Sequence, residues 1–332
     1  MVAAVRSDRT SHLRASLGQG VTRLLGAKPA VYFARLATRR RLPVLAYHDI
    51  EDPAAFARHL DFVQEHYHPI GGEAVLLALR RGLKLPRDAI WLTFDDAHPG
   101  VTRFGLPLLR AQGVPATLFV CPGVVDTETP YWWQIIDASL ARGDRLEFDG
   151  RSWTDRSIVT HLKRVPDNVR RAAVHRIQES QVNEGHEPVR SQQVSTRDLQ
   201  GWLDVGLEIG NHTWDHPCLN TCSAAEQRRQ ITMADGWLRD ALGIQAKLFA
   251  YPNGNTASVS ANVLAELGYG VMALFDHRTS RIRGPEVSRL RIDADAPIDR
   301  LAAVASGAHP AAFGVARRLR SVPWQRQAQT AL

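Results

Sequence analysis

Short apolar runs alternate along the chain with longer segments whose apolar residues recur every three or four positions. The runs at 43–47, 89–94, 115–121, 205–209, 247–251 and 270–275 are rich in β-branched and aromatic residues and too short for helices. Each reads as a buried strand, and 287–292 as a last short one. Helical spacing falls between them: Phe56, Leu60 and Val63 within 53–66, then 73–81, 102–112, 224–242 with Ile231, Leu238 and Leu242, and 258–267. Gly113, Gly243 and Gly268 stand where helices prefer to be closed by glycine.

Strand following helix at short intervals predicts βα units and a largely parallel sheet of seven to eight strands, an α/β fold. The rhythm breaks at 124–200, which is too long for a simple connection. Val159, Leu162 and Val165, then Val169, Ala173 and Ile177, predict a mostly helical insertion. The chain therefore divides into an arm, 1–42, a main body, 43–312, carrying the insertion, and a tail, 313–332. Periodicity does not separate a barrel from an open sheet.

Charge sharpens that division. The formal total is +7, but residues 1–43 hold nine Lys/Arg against one acid and 301–332 hold four against none. The body is left mildly acidic, which argues against a nucleic-acid reader. The segment 21–36 mixes apolar residues with Arg23, Lys28 and Arg35, and a helix there is expected to break near Pro29. It reads either as an amphipathic helix touching an acidic membrane surface or as a solvated arm. An odd count of three cysteines fits a reducing compartment. The first residues lack the long apolar core of a secretory signal. These features suggest a cytoplasmic protein with its basic ends near the inner face of a membrane.

Candidate chemistry gathers where strands stop. Asp95 and Asp96 end the run at 89–94, and adjacent carboxylates there repel one another unless a cation relieves them. A solvated strand end with a helix-capping Asp is the plainer reading. His212 and His216, four residues apart, follow another run, and a helical turn would put them on one face. Two imidazoles and a carboxylate are a common ligand set for catalytic zinc. Cys218 and Cys222 offer a rival structural zinc site with the same histidines, but that leaves Asp95 and Asp96 unexplained. Tyr131, Trp132 and Trp133 open the insertion, either as a stacking wall for a ligand or as its anchor.

On these residues the chain resembles the polysaccharide deacetylases of carbohydrate esterase family 4. Thr93-Phe94-Asp95-Asp96 matches the first family motif, His212-Thr213-Trp214-Asp215-His216-Pro217 the second, and Phe249-Ala250-Tyr251-Pro252 with Gly254 the third in one branch. Tyr47-His48 fits a common opening pair, and the motifs keep family order. The resemblance implies a distorted (β/α)7-type barrel and removal of N-acetyl groups from an amino sugar. It implies a divalent metal, zinc before others, held by Asp96, His212 and His216, with Asp95 as general base. Asn253 supplies an oxyanion N–H, Tyr251 lies on the substrate side, and Thr213 steadies a neighbouring group. An O-acetyl esterase or amidase, and an inactive carbohydrate binder, are the alternatives.

Four departures stand out. Ala97 replaces the glycine that ends the first motif. Asn253 replaces the branch's usual Tyr. Ala250 stands where many members place the Arg that holds the catalytic Asp, and Arg289 is the candidate to supply that charge from another strand. The late Leu-x-His motif is not evident, leaving His48, His98, His277 and His309 as candidate acids. His48 is preferred because it sits at a strand end.

Overall fold

Strands apolar on both faces require a packed layer on each side, and the architecture supplies both. The structure, a computed structural model, describes residues 28–312. Its strands are β1 (Val44–Tyr47), β2 (His68–Ile70), β3 (Ala89–Phe94), β4 (Ala116–Val120), β5 (Leu146–Phe148), β6 (Arg151–Trp153), β7 (Glu208–Asn211), β8 (Leu248–Ala250), β9 (Val271–Ala273), β10 (Glu286–Val287) and β11 (Leu290–Arg291). The helices are α1 (Lys28–Thr38), α2 (Pro53–His66), α3 (Gly72–Arg81), α4 (Leu106–Gln112), α5 (Trp132–Ala141), α6 (Ser157–Leu162), α7 (Asp167–Asn183), α8 (Thr196–Asp204), α9 (Ala224–Leu242), α10 (Ser258–Glu266) and α11 (Ile298–Ala305).

The main sheet runs β10-β9-β8-β7-β4-β3-β1-β11, with β2 beside the start of β3, and its pairings are parallel. Its two ends are neighbours in sequence. β10 pairs with β9, β11 pairs with β1, and Ser288 and Arg289 lie between them. The sheet thus curls until one stretch of chain serves both edges, giving seven positions around an irregular barrel. The expected last strand at 287–292 is this divided segment.

Alternation along each strand builds two cores. Val44, Trp91, Phe119, Leu248, Val271 and Val287 cluster inside the barrel. Leu45, Leu92, Leu118, Ile209, Phe249 and Leu290 face the surrounding helices. Val75 and Leu76 of α3 join the inner cluster, so that helix closes the end at which the strands begin. Glu208 receives the first N–H groups of α3, from Gly72 (2.6 Å) and Glu73 (2.8 Å), together with the Thr117 hydroxyl (2.5 Å).

The excursion after β4 has its own core, where Ile135 and Ile136 of α5 meet Ile158 and Leu162 of α6 and Ala173 and Ile177 of α7. It also contains the antiparallel hairpin β5–β6, which the helical spacing did not predict. Its turn is Asp149-Gly150, both at positive φ. The stretch predicted as a helix over 102–112 opens as a π-helical turn, Val101–Gly105. Pro107 lacks an N–H to donate there, so the first α-type bonds cannot all form. Pro29 lies in the first turn of α1 instead of breaking a helix, because a missing N–H costs nothing in that turn. The rest of the expected arm and the tail, 1–27 and 313–332, lie outside the described residues. Among the described residues, no helix is long and apolar enough to cross a membrane.

Candidate metal centre and active site

The strands finish on one rim, and the chemistry-bearing residues follow them there. Asp95 and Asp96 succeed β3, His212 succeeds β7, and the 252–254 turn succeeds β8 by way of Tyr251. Asp95 N–H donates to Tyr47 O at 3.0 Å, so sheet pairing runs one residue past β3 and keeps Asp95 in step with the inward-facing Trp91 and Thr93. The chain then turns sharply. Asp96, Ala97, Thr213, His216 and Asn253 all hold positive φ, five of the nine non-glycine residues that do so among those described. Each such position costs on the order of 1–2 kcal/mol, so the surroundings must hold it. Tyr131 OH donates to Asp96 O (2.7 Å), and Thr213 N–H donates to Asn211 Oδ1 (2.7 Å). Gln230 Oε1 accepts from Trp214 N–H (3.0 Å) and Asp215 N–H (3.1 Å). Ala97 keeps the left-handed backbone at a place where glycine adopts it more readily.

His212 and His216 do not share a helix. The segment after β7 is a bend, and His216 at φ 58° folds back to bring the rings within 4.9 Å of one another. Asp96 Oδ1 then lies 3.5 Å from His212 Nε2 and 3.4 Å from His216 Nε2. Asp96 Oδ1 and His212 Nε2 are buried without a hydrogen-bond partner. His212 Nδ1 is 2.8 Å from Ala250 O, which sets that nitrogen as donor and leaves the Nε2 lone pair facing the gap. Ligand atoms on a tetrahedral centre with bonds of about 2.1 Å stand about 3.4 Å apart. The donor set and spacing therefore fit a divalent cation, and this is the one His/Cys/Asp/Glu cluster of that kind among the described residues. Cys218 Sγ instead accepts from Asn253 Nδ2 (3.5 Å), and Cys222 Sγ faces Cys218 O, so the alternative zinc site is not assembled.

Electrostatics agree with that fit. Burial pushes the Asp96 carboxyl up, but His216 and His212 outweigh it and hold it far below the usual carboxylate range. Burial pulls the His212 imidazole down, yet Asp95 and Asp96 raise it on balance: two carboxylates here call for positive charge between them. Burial pushes the His216 imidazole down to about 3 against the pull of Asp96.

Asp95 is held differently. Arg289 Nη1 and Nη2 donate to its two oxygens at 2.6 and 2.8 Å, while Nε donates to Leu274 O at 2.8 Å. Both side chains are buried. Burial raises the Asp95 carboxyl, and the Arg289 charge followed by that of His212 overrides this, so it stays below its ordinary value. Its Oδ2 lies 4.0 Å from His212 Nε2. Arg289 thus reaches from between β10 and β11 the carboxylate that sequence reasoning paired it with.

The remaining expected residues divide. His48 is half-buried at the end of β1, edge-on to Phe275 (5.6 Å), and burial lowers its pKa against the pull of Asp95 and Asp96. His98 Nε2 lies 3.8 Å from Asp96 Oδ2. His277 and His309 share a hydrogen bond of 2.9 Å in a pair of their own. Trp133 stacks on Tyr131 (4.6 Å) and meets the His216 ring edge-on (4.6 Å). Trp132 meets Trp133 edge-on (5.7 Å), and its ring lies under the Arg170 guanidinium within the insertion, so it serves the insertion's packing and not such a wall. Tyr251 is a correction as well. It follows the outward-facing Phe249, packs against that ring, and points its hydroxyl at Met272 Sδ (3.8 Å), so it is core and not substrate-facing. Tyr131 is the site neighbour whose role sequence reasoning missed, since nothing local says that its hydroxyl reaches Asp96.

A barrel whose rim sets a carboxylate beside a His/His/Asp cluster is the architecture of a hydrolase. The chain belongs to the polysaccharide deacetylase family, whose model matches residues 82–272, and it is thus a carbohydrate deacetylase. Among solved structures it is similar to the deacetylase PplD of Streptococcus pyogenes, at 18% identity and TM-score 0.55 over 79% of this chain and 96% of that one. IcaB of Ammonifex degensii matches at 18% and 0.56 over 80% and 97%, and the BpsB deacetylase domain of Bordetella bronchiseptica at 15% and 0.52 over 76% and 96%. At such identities the likeness is one of fold.

Proposed function

We propose that the protein hydrolyses the N-acetyl group of an amino sugar in an oligosaccharide, polysaccharide or lipid-linked glycan, giving acetate and a free amine. The observation that carries this is the division of labour between neighbouring carboxylates. Asp96 Oδ1 faces two imidazole nitrogens and has no hydrogen-bond partner, whereas Asp95 is clamped by Arg289. Asp96, His212 and His216 would hold the cation, Zn2+ by the choice of donors. When bound, that ion polarises the acetamide carbonyl and lowers the pKa of water at the site.

Asp95 is oriented by both nitrogens of the Arg289 fork, which leaves Oδ2 toward the cluster to take the proton of the attacking water. A C–O bond forms as the carbonyl carbon becomes tetrahedral, and the negative oxygen is met by the Asn253 backbone N–H at the tight 252–254 turn. The C–N bond then breaks, with His48 delivering a proton to the departing amine. Trp133, beside His216, supports the sugar ring.

The test is acetate release from N-acetylated and O-acetylated sugars by chelator-stripped protein with metal restored. Release from the N-acetyl set alone is expected. Asp95→Asn should keep its metal by elemental analysis while turnover falls about 100-fold or more. Wild-type turnover in that variant removes Asp95 as the base, and release only from O-acetyl sugars replaces the amide reading with an ester one.

A further inference from the structure

The end of the barrel opposite the active site carries a surface that deacetylation does not use. Helix α1 lies there, held through its inner side. Thr38 Oγ1 donates to Ser306 O (2.8 Å), and Arg35 Nη2 donates to His66 O (2.7 Å) and Asp88 Oδ1 (3.1 Å). Its outer side presents Tyr32, Phe33 and Leu36, which are 65%, 67% and 50% exposed. These positions share one helical face. With Leu83, 53% exposed on the neighbouring loop, they make four of the seven large apolar side chains left exposed among the described residues.

Exposed cations lie on the same two segments. Arg39, Arg40 and Arg41 follow α1 and are exposed. Lys84 and Arg87 are exposed on the loop that leads into β3. Asp88, at the end of that loop, is paired with both Arg35 (3.1 Å) and Arg87 (3.4 Å), which brings the loop beside the helix and neutralises its acid.

We propose that this face seats the enzyme on an anionic lipid surface. Tyr32, Phe33 and Leu36 enter the boundary between headgroups and acyl chains, and the surrounding arginines and lysine meet the phosphates. The charge selects this occupant. A second copy docked on the same face would oppose like charges, and a nucleic acid polyanion would leave Tyr32, Phe33 and Leu36 without an apolar phase to enter. The strands begin at this end and the Asp96–His212–His216 cluster lies where they finish, so the seated enzyme turns its active site away from the bilayer.

The experiment uses the full chain with phosphatidylcholine vesicles, with and without phosphatidylglycerol, in co-sedimentation at low and high salt. Binding is expected only with the anionic lipid and should weaken with salt. Two variants, one with Tyr32, Phe33 and Leu36 changed to Ser and one with Arg39 and Arg40 changed to Gln, should each lower the partition coefficient about tenfold. Both should deacetylate a soluble substrate at the wild-type rate, so a failure here is distinguishable from a failure of the catalytic reading. Indifference to anionic lipid, or variants that bind like wild type, overturns the proposal. So does a dimer that the Ser variant dissolves without any vesicle binding, since the face then belongs to a second copy.

Discussion

Arg289 is buried, forked onto Asp95, and bonded by its third nitrogen to Leu274 O. A carboxylate buried this deeply is ionised only because that charge is opposite it, and removing one partner of a buried pair leaves the other uncompensated. Arg289→Met should therefore cost about 3–5 kcal/mol of stability by denaturant unfolding. Arg289→Lys, which keeps the charge but cannot donate in a fork, should fold better than the Met variant. Even so it should turn over at least about tenfold more slowly than wild type with KM little changed, because Asp95 is no longer aimed. A Lys variant with wild-type kcat would show that the fork is structural only. The site was legible to the extent that its residues sit in contiguous motifs: Asp95 and Asp96 after one strand, His212 and His216 after another. Arg289 sits in no motif, yet strand parity supports its role, since Val287 faces the barrel interior and residue 289 keeps that side. What was not legible was any contact made across the fold. The Tyr131 hydroxyl on Asp96 O crosses 35 residues of sequence. Tyr251 was misplaced because a motif gives adjacency and not the side of the strand.

Glu208 does for an element what Arg289 does for a residue. It sits at the start of β7, takes two N–H groups at the start of α3, and accepts the Thr117 hydroxyl, to which Trp91 Nε1 also donates at 2.9 Å. A carboxylate at a helix N-terminus opposes the positive end of the helix dipole and satisfies orphan donors. Glu208→Ala should thus loosen the helix that plugs the barrel and cost about 3 kcal/mol by urea unfolding, with Glu208→Gln losing less. A loss in the Ala variant too small to measure would mean that α3 is held by its apolar face alone. Two elements with local punctuation keep the bounds their sequence predicts. Helix 53–66 has Asp52 accepting from Ala54 and Ala55 N–H at its start, and 224–242 ends at Gly243 in the left-handed region. The hairpin β5–β6 was missed although Asp149-Gly150 is a turn signal, because three-residue strands carry too few alternations to show a period. The two-residue strands β10 and β11 exist only through partners on opposite edges of the sheet, which no local pattern encodes.

At the scale of the whole molecule, the barrel is closed by chain far apart in sequence, and buried histidines record that closure. His59 on α2 lies 2.6 Å from Ala296 O, ahead of α11, through Nε2, and 3.3 Å from the Tyr47 hydroxyl on β1 through Nδ1. Both contacts suit the neutral ring, with Nε2–H donating and Nδ1 accepting. Burial holds this imidazole below its ordinary value, and burial does the same to His309 and to His277, the last down to about 4. The unfolded chain takes up these protons near pH 6.5, whereas the folded chain does not until lower pH. At these three histidines the unfolded state therefore binds more protons below about pH 6.5, and their contribution to stability falls as pH drops through that window. The carboxylates do not confuse the reading, since free Asp and Glu side chains titrate lower, near about pH 4. Urea unfolding should show stability declining from about pH 7 to about pH 5.5, by up to about 1.4 kcal/mol per pH unit for each fully contributing histidine. His59→Gln should lower stability throughout, because two buried partners lose their match. It should also flatten the slope by about one proton, which a purely structural loss would not do. An unchanged slope would mean that His59 opens to solvent and protonates within the folded barrel, and that the junction of α2, β1 and the approach to α11 is not closed in solution.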